Sequence, residues 1–278
     1  MTAIRALRKR LRDEALAQGG NPRDADLLLA DALGVSLTAL VSRSEDPVPD
    51  SIIESITAML ARRRAGEPLQ YVRGMTEFYG RSFRVDPRVL IPRPETELLV
   101  EAALARIRPG ARVLDVGTGS GCIAISIGLE RPDATVFALD RSVAALALAR
   151  FNNEALQANV RFLASDVLSS VRSRFDLIVS NPPYIPRADI AGLQIEVREW
   201  EPHAALTSGP AGTEIIERLV DQARNHIHDE GAVMMEIGYG QEREVSALAE
   251  HYGWTVDRVI NDLAGIPRII VLSGGRLA

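Results

Sequence analysis

The sequence contains few of the residues that cross-link small secreted proteins or bind metal ions. Its 278 residues include one cysteine, Cys122, so no disulfide can form within the chain. The four histidines have no partner cysteines, and His226 and His228 are two positions apart, which would place them on different faces of a helix. We therefore expect a protein of the reducing cytoplasm with no metal site. Cys122 is expected to pack at the start of a helix.

Long apolar runs and an excess of positive charge are also missing. No run reaches the roughly 18 apolar residues that indicate a membrane span. The basic residues near the N-terminus are not followed by an apolar block, which argues against a signal peptide. The net charge is −5, whereas a general nucleic-acid-binding protein has a basic field. We therefore expect no membrane association and no direct nucleic-acid binding.

The most informative motif is Asn181-Pro182-Pro183-Tyr184, which follows an apolar run at residues 175–180. Two prolines end a strand abruptly, so the run predicts a buried strand with Asn181 at its carboxyl end. Open α/β sheets bind their ligands at that end. An amide, a rigid carbonyl and an aromatic ring can together bind a planar nitrogen that carries hydrogens. For the tetrapeptide alone, a tight turn with Tyr184 in the core is the alternative.

A glycine-rich loop lies upstream, directly after the predicted strand 112–116. Its glycines occupy every second position, whereas a dinucleotide site has the pattern G-x-G-x-x-G. An acidic residue precedes the loop and suits a cationic ligand better than a pyrophosphate. The cofactor-binding residues expected from this segment are Asp115, Gly117, Thr118, Gly119, Ser120 and Gly121.

Two further acids follow the next two predicted strands. Asp140 comes after strand 134–139, where a carboxylate can accept hydrogen bonds from both ribose hydroxyls. Asp166 comes after strand 160–164, and we expect it with Val167 near an adenine amino group. Glycine loop, ribose acid, adenine acid and the proline motif come in the order that S-adenosylmethionine enzymes use.

With these motifs the chain resembles, over nearly its whole length, the class I methyltransferases that methylate the side-chain amide nitrogen (N5) of glutamine in peptide chain release factors. Several further segments carry this resemblance: Pro68-Leu69-Gln70-Tyr71 with Gly74 and Glu77-Phe78; Leu90 to Glu97; Ser180 to Ile185; Glu201-Pro202 with Ala205-Leu206; and Met235-Glu236-Ile237-Gly238.

The resemblance implies a cytoplasmic enzyme of translation termination, with S-adenosylmethionine as cofactor and release factors as protein partners. It implies catalytic roles for Asn181, Pro182 and Tyr184, with Asn181 also near the cofactor. The substrate-binding residues would be Asn181, Pro182, Pro183 and Tyr184. If the Asn181 oxygen and the Pro182 carbonyl accept the two amide hydrogens, the nitrogen lone pair points at the methyl group, and Tyr184 flanks the amide plane.

The expected fold is α/β, a class I methyltransferase (Rossmann-like) sheet with an antiparallel last strand. A small N-terminal helical bundle and a β-hairpin linker precede it. Strands 254–259 and 267–272 are too close in sequence for a crossover helix, which makes the last strand antiparallel. The other predicted elements are strands 112–116, 134–139, 160–164, 175–180 and 231–237, and helices 122–130, 142–156, 212–228 and 241–252.

We expect three parts along the chain. Residues 1–70 form the helical bundle and recognise the substrate, with a stabilising cap as the alternative role. Residues 71–95 form the hairpin linker, with alternation over 68–90. Residues 96–278 form the methyltransferase domain. In the bundle, a loop is expected at residues 47–50, followed by a helix capped by Ser51.

Several alternatives stay open at this point. The substrate could be a glutamine of a ribosomal protein, or an N6-adenine or N2-guanine of nucleic acid, and a different class would be an inactive cofactor-binding or assembly factor. Arg93, Glu95 and Glu97 could contact the cofactor's methionine end or the substrate loop, or form a helix-start cluster. Glu201-Pro202 could form part of the substrate mouth in a long loop.

Overall fold

The structure, a computed structural model, describes residues 2–274. Contacts divide this chain into two units. The first comprises residues 2–74 and 195–200, and the second comprises residues 75–194 and 201–274. No helix in these described residues is both long and apolar enough to span a membrane.

The elements of the described chain are named in sequence order. The strands are β1 (Thr2–Ala3), β2 (Pro47–Val48), β3 (Met75–Phe78), β4 (Arg81–Arg84), β5 (Arg112–Val116), β6 (Thr135–Asp140), β7 (Arg161–Ala164), β8 (Phe175–Ser180), β9 (Ile227–Glu236), β10 (Trp254–Asn261) and β11 (Pro267–Gly274). The α-helices are α1 (Ile4–Ala17), α2 (Pro22–Leu33), α3 (Leu37–Ser42), α4 (Asp50–Arg64), α5 (Leu69–Arg73), α6 (Glu97–Leu104), α7 (Cys122–Glu130), α8 (Val143–Ala155), α9 (Ile195–Trp200), α10 (His203–Leu206), α11 (Glu214–Ala223) and α12 (Glu242–His251). Short 3₁₀ helices cover Pro94–Thr96 and Arg187–Gly192.

Helix α2 shows how local sequence sets the helices of the first unit. The Asn21 side chain accepts a hydrogen bond from the Arg23 N–H at 2.9 Å, and Pro22 occupies the first helical position, where its missing N–H costs nothing. Gly34 ends the helix with φ 64°, a conformation that glycine adopts without strain. The helices pack around an apolar core that includes Leu7, Leu11, Leu28, Leu29, Leu40 and Ile56.

Helix α9 belongs to this first unit although it comes late in the sequence. The Arg63 Nη1 donates to the Glu196 carboxylate at 2.7 Å, and the Arg63 Nε donates to Asp24 at 3.0 Å. The chain therefore leaves the second unit after residue 194 and returns to it at Glu201.

The predicted hairpin over residues 68–90 is wrong at its start. Residues 69–73 form helix α5, which begins after Pro68 and ends at Gly74 in a left-handed conformation. One helical turn buries the adjacent Tyr71 and Val72 together, which an alternating strand would place on opposite faces.

Two predictions for the bundle are also wrong. Residues 47–48 pair with residues 2–3 as a short antiparallel sheet, where a loop was expected. Helix α4 begins at Asp50 without a side-chain cap, so Ser51 lies inside the helix.

Strands β3 and β4 form the hairpin itself, which belongs to the second unit. The two turn residues, Tyr79 and Gly80, have φ of 49° and 69°, as a twisted two-residue hairpin turn requires. Phe78 and Phe83 meet edge to face at 6.1 Å and pack in one core with α6 and α7. The hairpin is thereby fixed to the rest of the second unit by apolar packing.

The second unit is built on a seven-stranded sheet of order β10-β11-β9-β8-β5-β6-β7. The five strands from β9 to β7 are parallel, and β11 pairs antiparallel with both β9 and β10. Successive residues of a strand face opposite sides, so Val113 joins one core with α6 and α7 whereas Leu114 joins the other with α11 and α12. The predicted class I sheet with its antiparallel last strand is confirmed.

Two regions of this unit differ from the prediction. Helix α11 ends at Ala223 and β9 begins at Ile227, whereas a helix was expected to residue 228. Polar, exposed residues 228–230 hide the start of this strand in the sequence pattern. The expected long loop after the proline motif contains the short helices α9 and α10 and a 3₁₀ helix.

Candidate active site

The carboxyl ends of β5, β6 and β8 meet at a cavity of about 260 Å³ in the second unit. That volume is near the lower end of small-molecule cavities, which begin at roughly 300 Å³. Eight residues expected at the site line it: Gly117, Gly119, Asp140, Asp166, Val167, Asn181, Pro182 and Pro183. Asp115, Thr118, Ser120, Gly121 and Tyr184 do not line it.

The loop between β5 and α7 is fixed by its glycines. Gly117, Gly119 and Gly121 have φ of 77°, 55° and 86°, in the left-handed region that favours glycine. A Cβ on Gly121 would lie 2.8 Å from the Ile125 Cδ1, so close packing also requires glycine there. The N–H groups of Gly117 and Thr118 both donate to the Leu139 carbonyl at 2.9 Å, which ties the loop to β6.

Asp140 ends β6 and holds two loops with one carboxylate. Its Oδ2 accepts from the Gly119 N–H at 2.9 Å, and its Oδ1 accepts from the Ser142 N–H at 2.8 Å. Each carboxylate oxygen has two lone-pair positions, so both keep the capacity to accept a bond from a ligand hydroxyl.

Asp115 is fully buried below the loop. Its Oδ2 accepts from the Thr118 hydroxyl at 2.6 Å. Burial raises the pKa of Asp115 to about 7, although the Thr118 bond lowers it. Asp115 therefore supports the loop from inside the protein.

Cys122 is buried at the start of α7, as expected. Burial raises the pKa of its thiol to about 12, so the nucleophilic thiolate is not formed near neutral pH.

Asp166 and Val167 line the cavity beyond β7. The Arg218 Nη2 donates to Asp166 at 2.8 Å, and this bond lowers the pKa of the Asp166 carboxyl. Val167 has φ 52°, which is rare for a β-branched residue and places its backbone in a strained conformation at the cavity wall.

The proline motif begins where β8 ends. The Ser180 hydroxyl donates to the Val116 carbonyl at 2.8 Å and joins the ends of β8 and β5. Asn181, Pro182 and Pro183 line the cavity. Tyr184 instead packs its ring against the core that contains α11 and α12.

Two residues that sequence reasoning left without a role contact the motif. The Asn181 Nδ2 donates to the Thr96 hydroxyl at 3.0 Å, and that hydroxyl donates to the Glu236 Oε2 at 2.7 Å. The Tyr184 hydroxyl donates to the Glu236 Oε1 at 3.1 Å. The available signal for Glu236 was an acid at the end of a buried apolar strand.

The remaining cavity wall comes from residues that the sequence analysis did not assign as catalytic or binding residues. These lining residues include Arg88, Val89, Leu90, Arg141, Ser142, Pro202, Ala205, Thr207 and Ser208. Pro202 is at the cavity, where a place in the substrate mouth was expected for it.

The charged residues with open roles have contacts inside the second unit. The Arg93 Nη2 donates to the Glu201 carboxylate at 2.5 Å, and burial raises the pKa of Glu201. Glu97 accepts from the Tyr79 N–H at 2.8 Å. Glu95, Arg93 and Glu97 do not line the cavity. No group of three His, Cys, Asp or Glu side chains within residues 2–274 could hold a metal ion.

Comparison with known proteins identifies the family. The model described as "Methyltransferase small domain" matches residues 94–194, and that described as "PrmC N-terminal domain" matches residues 2–74. A release factor glutamine methyltransferase of Koribacter versatilis is 42% identical over 276 residues, or 98% of either chain. One of Burkholderia pseudomallei is 45% identical over 264 residues, or 91% of either chain. The chain belongs to the release factor glutamine methyltransferase family.

Solved structures agree on the fold. A methyltransferase from Pyrococcus furiosus has a TM-score of 0.55 at 18% identity, covering 82% of this chain and 100% of that chain. The 16S rRNA N2 G1207 methyltransferase of Thermus thermophilus, in complex with AdoMet and guanosine, has a TM-score of 0.52 at 17% identity, covering 72% and 50%. The resemblance drawn from the sequence motifs is confirmed.

The raised pKa of Asp115 predicts a pH dependence of stability. The folded chain keeps a proton that the unfolded chain loses near pH 4, so this contribution to stability declines as the pH rises from about 4 to about 7. One pKa unit corresponds to about 1.4 kcal/mol. When the pH is raised from 5 to 8, the free energy of unfolding of Asp115→Asn should therefore rise by roughly 2–3 kcal/mol relative to that of wild type. Urea unfolding at the two pH values measures this.

Asp229→Asn is the matched control, since it removes a carboxylate from an exposed position in the same unit. A constant difference between Asp115→Asn and wild type across this pH range would contradict the assignment.

Proposed function

We propose that this protein transfers a methyl group from S-adenosylmethionine to the side-chain amide nitrogen of a glutamine in peptide chain release factors. The observation that carries the proposal is the orientation of Asn181 at the cavity. Its amide nitrogen is bound to Thr96, so its oxygen is left to accept a hydrogen bond from a substrate N–H.

The residues at the cavity fit S-adenosylmethionine by their donor and acceptor chemistry. Asp140 would accept from the ribose hydroxyls, as its two held oxygens permit. The loop at residues 117–121 would lie against the methionine part, and Asp166 with Val167 would lie at the adenine. Bound S-adenosylmethionine supplies a methyl group that is already activated on a sulfonium.

The nucleophile is the difficult part of the reaction, because an amide nitrogen shares its lone pair with its carbonyl. We propose that the Asn181 oxygen and the Pro182 carbonyl accept the two amide hydrogens and so orient the nitrogen. The same acceptors stabilise the positive charge that develops on nitrogen during attack. Methyl transfer would form the N–C bond as the S–C bond breaks and leaves a neutral thioether; the N-protonated amide is a strong acid that then loses its proton to water, so no general base is needed. Positioning of this kind supplies at best ~7–11 kcal/mol of the barrier.

Tyr184 anchors the tetrapeptide through two hydrogen bonds. Its hydroxyl is bound to Glu236, and its carbonyl accepts from the Gln241 Nε2 at 2.9 Å. Both bonds hold the end of the tetrapeptide in place, so that Pro182 and Pro183 form a rigid wall of the cavity for the substrate amide.

We propose that the first unit recognises the release factor. All residues that line the cavity belong to the second unit, so the first unit offers surface and no chemistry to the reaction. Its helix α9 follows the catalytic motif in the sequence and precedes the cavity residue Pro202, so the same segment serves both units. A substrate of the translation machinery and a lone buried thiol both fit a cytoplasmic enzyme of translation termination.

The direct test is to map the product. Wild-type protein incubated with methyl-labelled S-adenosylmethionine and a purified release factor should place one label on a glutamine of that factor, located by mass spectrometry. Ribosomal proteins and adenine-containing DNA serve as competing substrates in parallel. Label on these and none on the release factor would overturn the proposal.

Asn181→Ala should lower turnover by about 10²–10³-fold, since it removes one preorganised acceptor at the nucleophile. The loss should fall in kcat, with cofactor affinity retained, when single-turnover methylation is compared with calorimetric binding. Asn225→Ala, at an exposed turn of the same unit, is the control. A kcat of Asn181→Ala within about threefold of wild type would show that Asn181 is only a turn residue with no part in catalysis.

Asp140→Ala should weaken S-adenosylmethionine binding, because it removes the ribose acceptor and frees the Gly119 and Ser142 amides. Charge-assisted bonds of this kind contribute ~1.5–3 kcal/mol, so we expect a 10–100-fold higher Kd by calorimetry. The control is Asp176→Ala, whose carboxylate accepts the Arg112 N–H at 2.7 Å at the other end of the strands. Equal affinity in the two variants would contradict the assignment.

A further inference from the structure

The Asn181 amide has two ends of similar shape and opposite function. The oxygen can accept a hydrogen bond from a substrate amide, whereas the NH₂ group would oppose the substrate's own hydrogens. Rotation by half a turn about the last side-chain bond exchanges them. The useful orientation must therefore be imposed by a neighbour, and the neighbour on the nitrogen side is Thr96 at 3.0 Å.

Thr96 can impose this orientation because its single proton is already used. Its hydroxyl is buried, with 2% of the residue exposed, and donates to the Glu236 Oε2 at 2.7 Å. The Tyr184 hydroxyl also donates to this carboxylate, so Glu236 acts as the acceptor of both bonds and the direction of the Thr96 bond is set. The lone pairs of Thr96 Oγ1 then face Asn181 and can be satisfied only by the NH₂ end. The reversed amide would place two acceptor oxygens in contact.

Glu236 also makes a direct hydrogen bond to the motif at residues 181–184. Its other oxygen, Oε1, accepts from the Tyr184 hydroxyl at 3.1 Å. Glu236 is 1% exposed and ends β9, which runs parallel to β8 with Met235 opposite Ser180. One carboxylate on the neighbouring strand thus contacts Tyr184 directly and Asn181 through Thr96.

The surroundings of Glu236 affect its pKa in opposite directions. Burial raises the pKa of Glu236, and the hydroxyls of Thr96 and Tyr184 and the charge of Arg268 counteract the rise. Arg268 itself donates to Asp262 at 2.9 Å, so hydroxyl groups make the hydrogen bonds to the buried carboxylate.

We propose that Thr96 and Glu236 are positioning residues for methyl transfer, acting through Asn181 by fixing its oxygen toward the substrate amide. This inference rests on the proposed function. It assigns specificity for a hydrogen-bearing nitrogen to a relay of three side chains, Asn181, Thr96 and Glu236. Thr96 is 85 positions from Asn181 and 140 positions from Glu236 in the sequence.

The test is a double-mutant cycle on the full-length protein. Thr96→Val keeps the shape of the side chain and removes the hydroxyl, so Asn181 loses the partner that sets its orientation. We expect kcat for release-factor methylation to fall about tenfold or more, with the Kd for S-adenosylmethionine within about twofold of wild type. Thr96→Ser keeps the hydroxyl and should restore most of the turnover. In the Asn181→Ala background, Thr96→Val should change kcat by less than about twofold, because nothing is left to orient.

The matched control is Thr213→Val, which removes another threonine–glutamate bond of this unit, from Thr213 to Glu244 at 3.1 Å. It should keep near wild-type turnover. Glu236→Gln should lower kcat like Thr96→Val, since a neutral amide can donate to Thr96 and reverse the relay.

Each outcome separates the two proposals. If wild type labels no glutamine of the release factor, the proposed function fails and the relay with it. If wild type labels it and Thr96→Val is equally active, the relay alone is overturned. An equal loss from Thr96→Val in the wild-type and Asn181→Ala backgrounds would also overturn it, because Thr96 would then act by supporting the fold.

Discussion

The loops of this site depend on the hydrogen bonds that carboxylates at the carboxyl ends of parallel strands accept from them. Asp115 near the end of β5 accepts from the Thr118 hydroxyl, and Asp140 at the end of β6 accepts from two main-chain N–H groups. Glu236 at the end of β9 accepts from two hydroxyls. Leaving a buried carboxylate without hydrogen-bond donors costs several kcal/mol, which is a large fraction of the stability of a domain. The loops that carry these donors are therefore held in one arrangement.

This arrangement explains why the site uses little acid–base chemistry. Asp115, Asp140 and Glu236 accept from neutral donors of the protein, and Asp166 is paired with Arg218. A reaction whose cofactor is already activated needs orientation more than proton transfer, and in the proposed function the Asn181 oxygen would provide that orientation. The hydroxyl of Thr96 connects the buried Glu236 to Asn181 by two hydrogen bonds.

Sequence reasoning recovered the sheet, the cavity edge and eight of the lining residues, because local sequence patterns encode those features. Alternating glycines permit the left-handed backbone of the loop, and a double proline ends the strand before it, so each acts at its own position in the sequence. The errors arose where local pattern and packing disagree. Tyr71 and Val72 suggested a strand, yet α5 buries both of them. Residues 228–230 are polar and exposed, so the first part of β9 lacked the apolar signal of a buried strand.

By itself the sequence determined the family, the order of cofactor motifs along the chain and the placement of Asn181 at a strand end. Only the tertiary structure decided which way the Asn181 amide points, that Asp115 lies beneath the loop and outside the cavity, and that Tyr184 packs into the core. The physical reason is distance along the chain. Thr96 meets Glu236 across 140 positions through strand pairing and helix packing, and no local pattern of residues encodes such a contact.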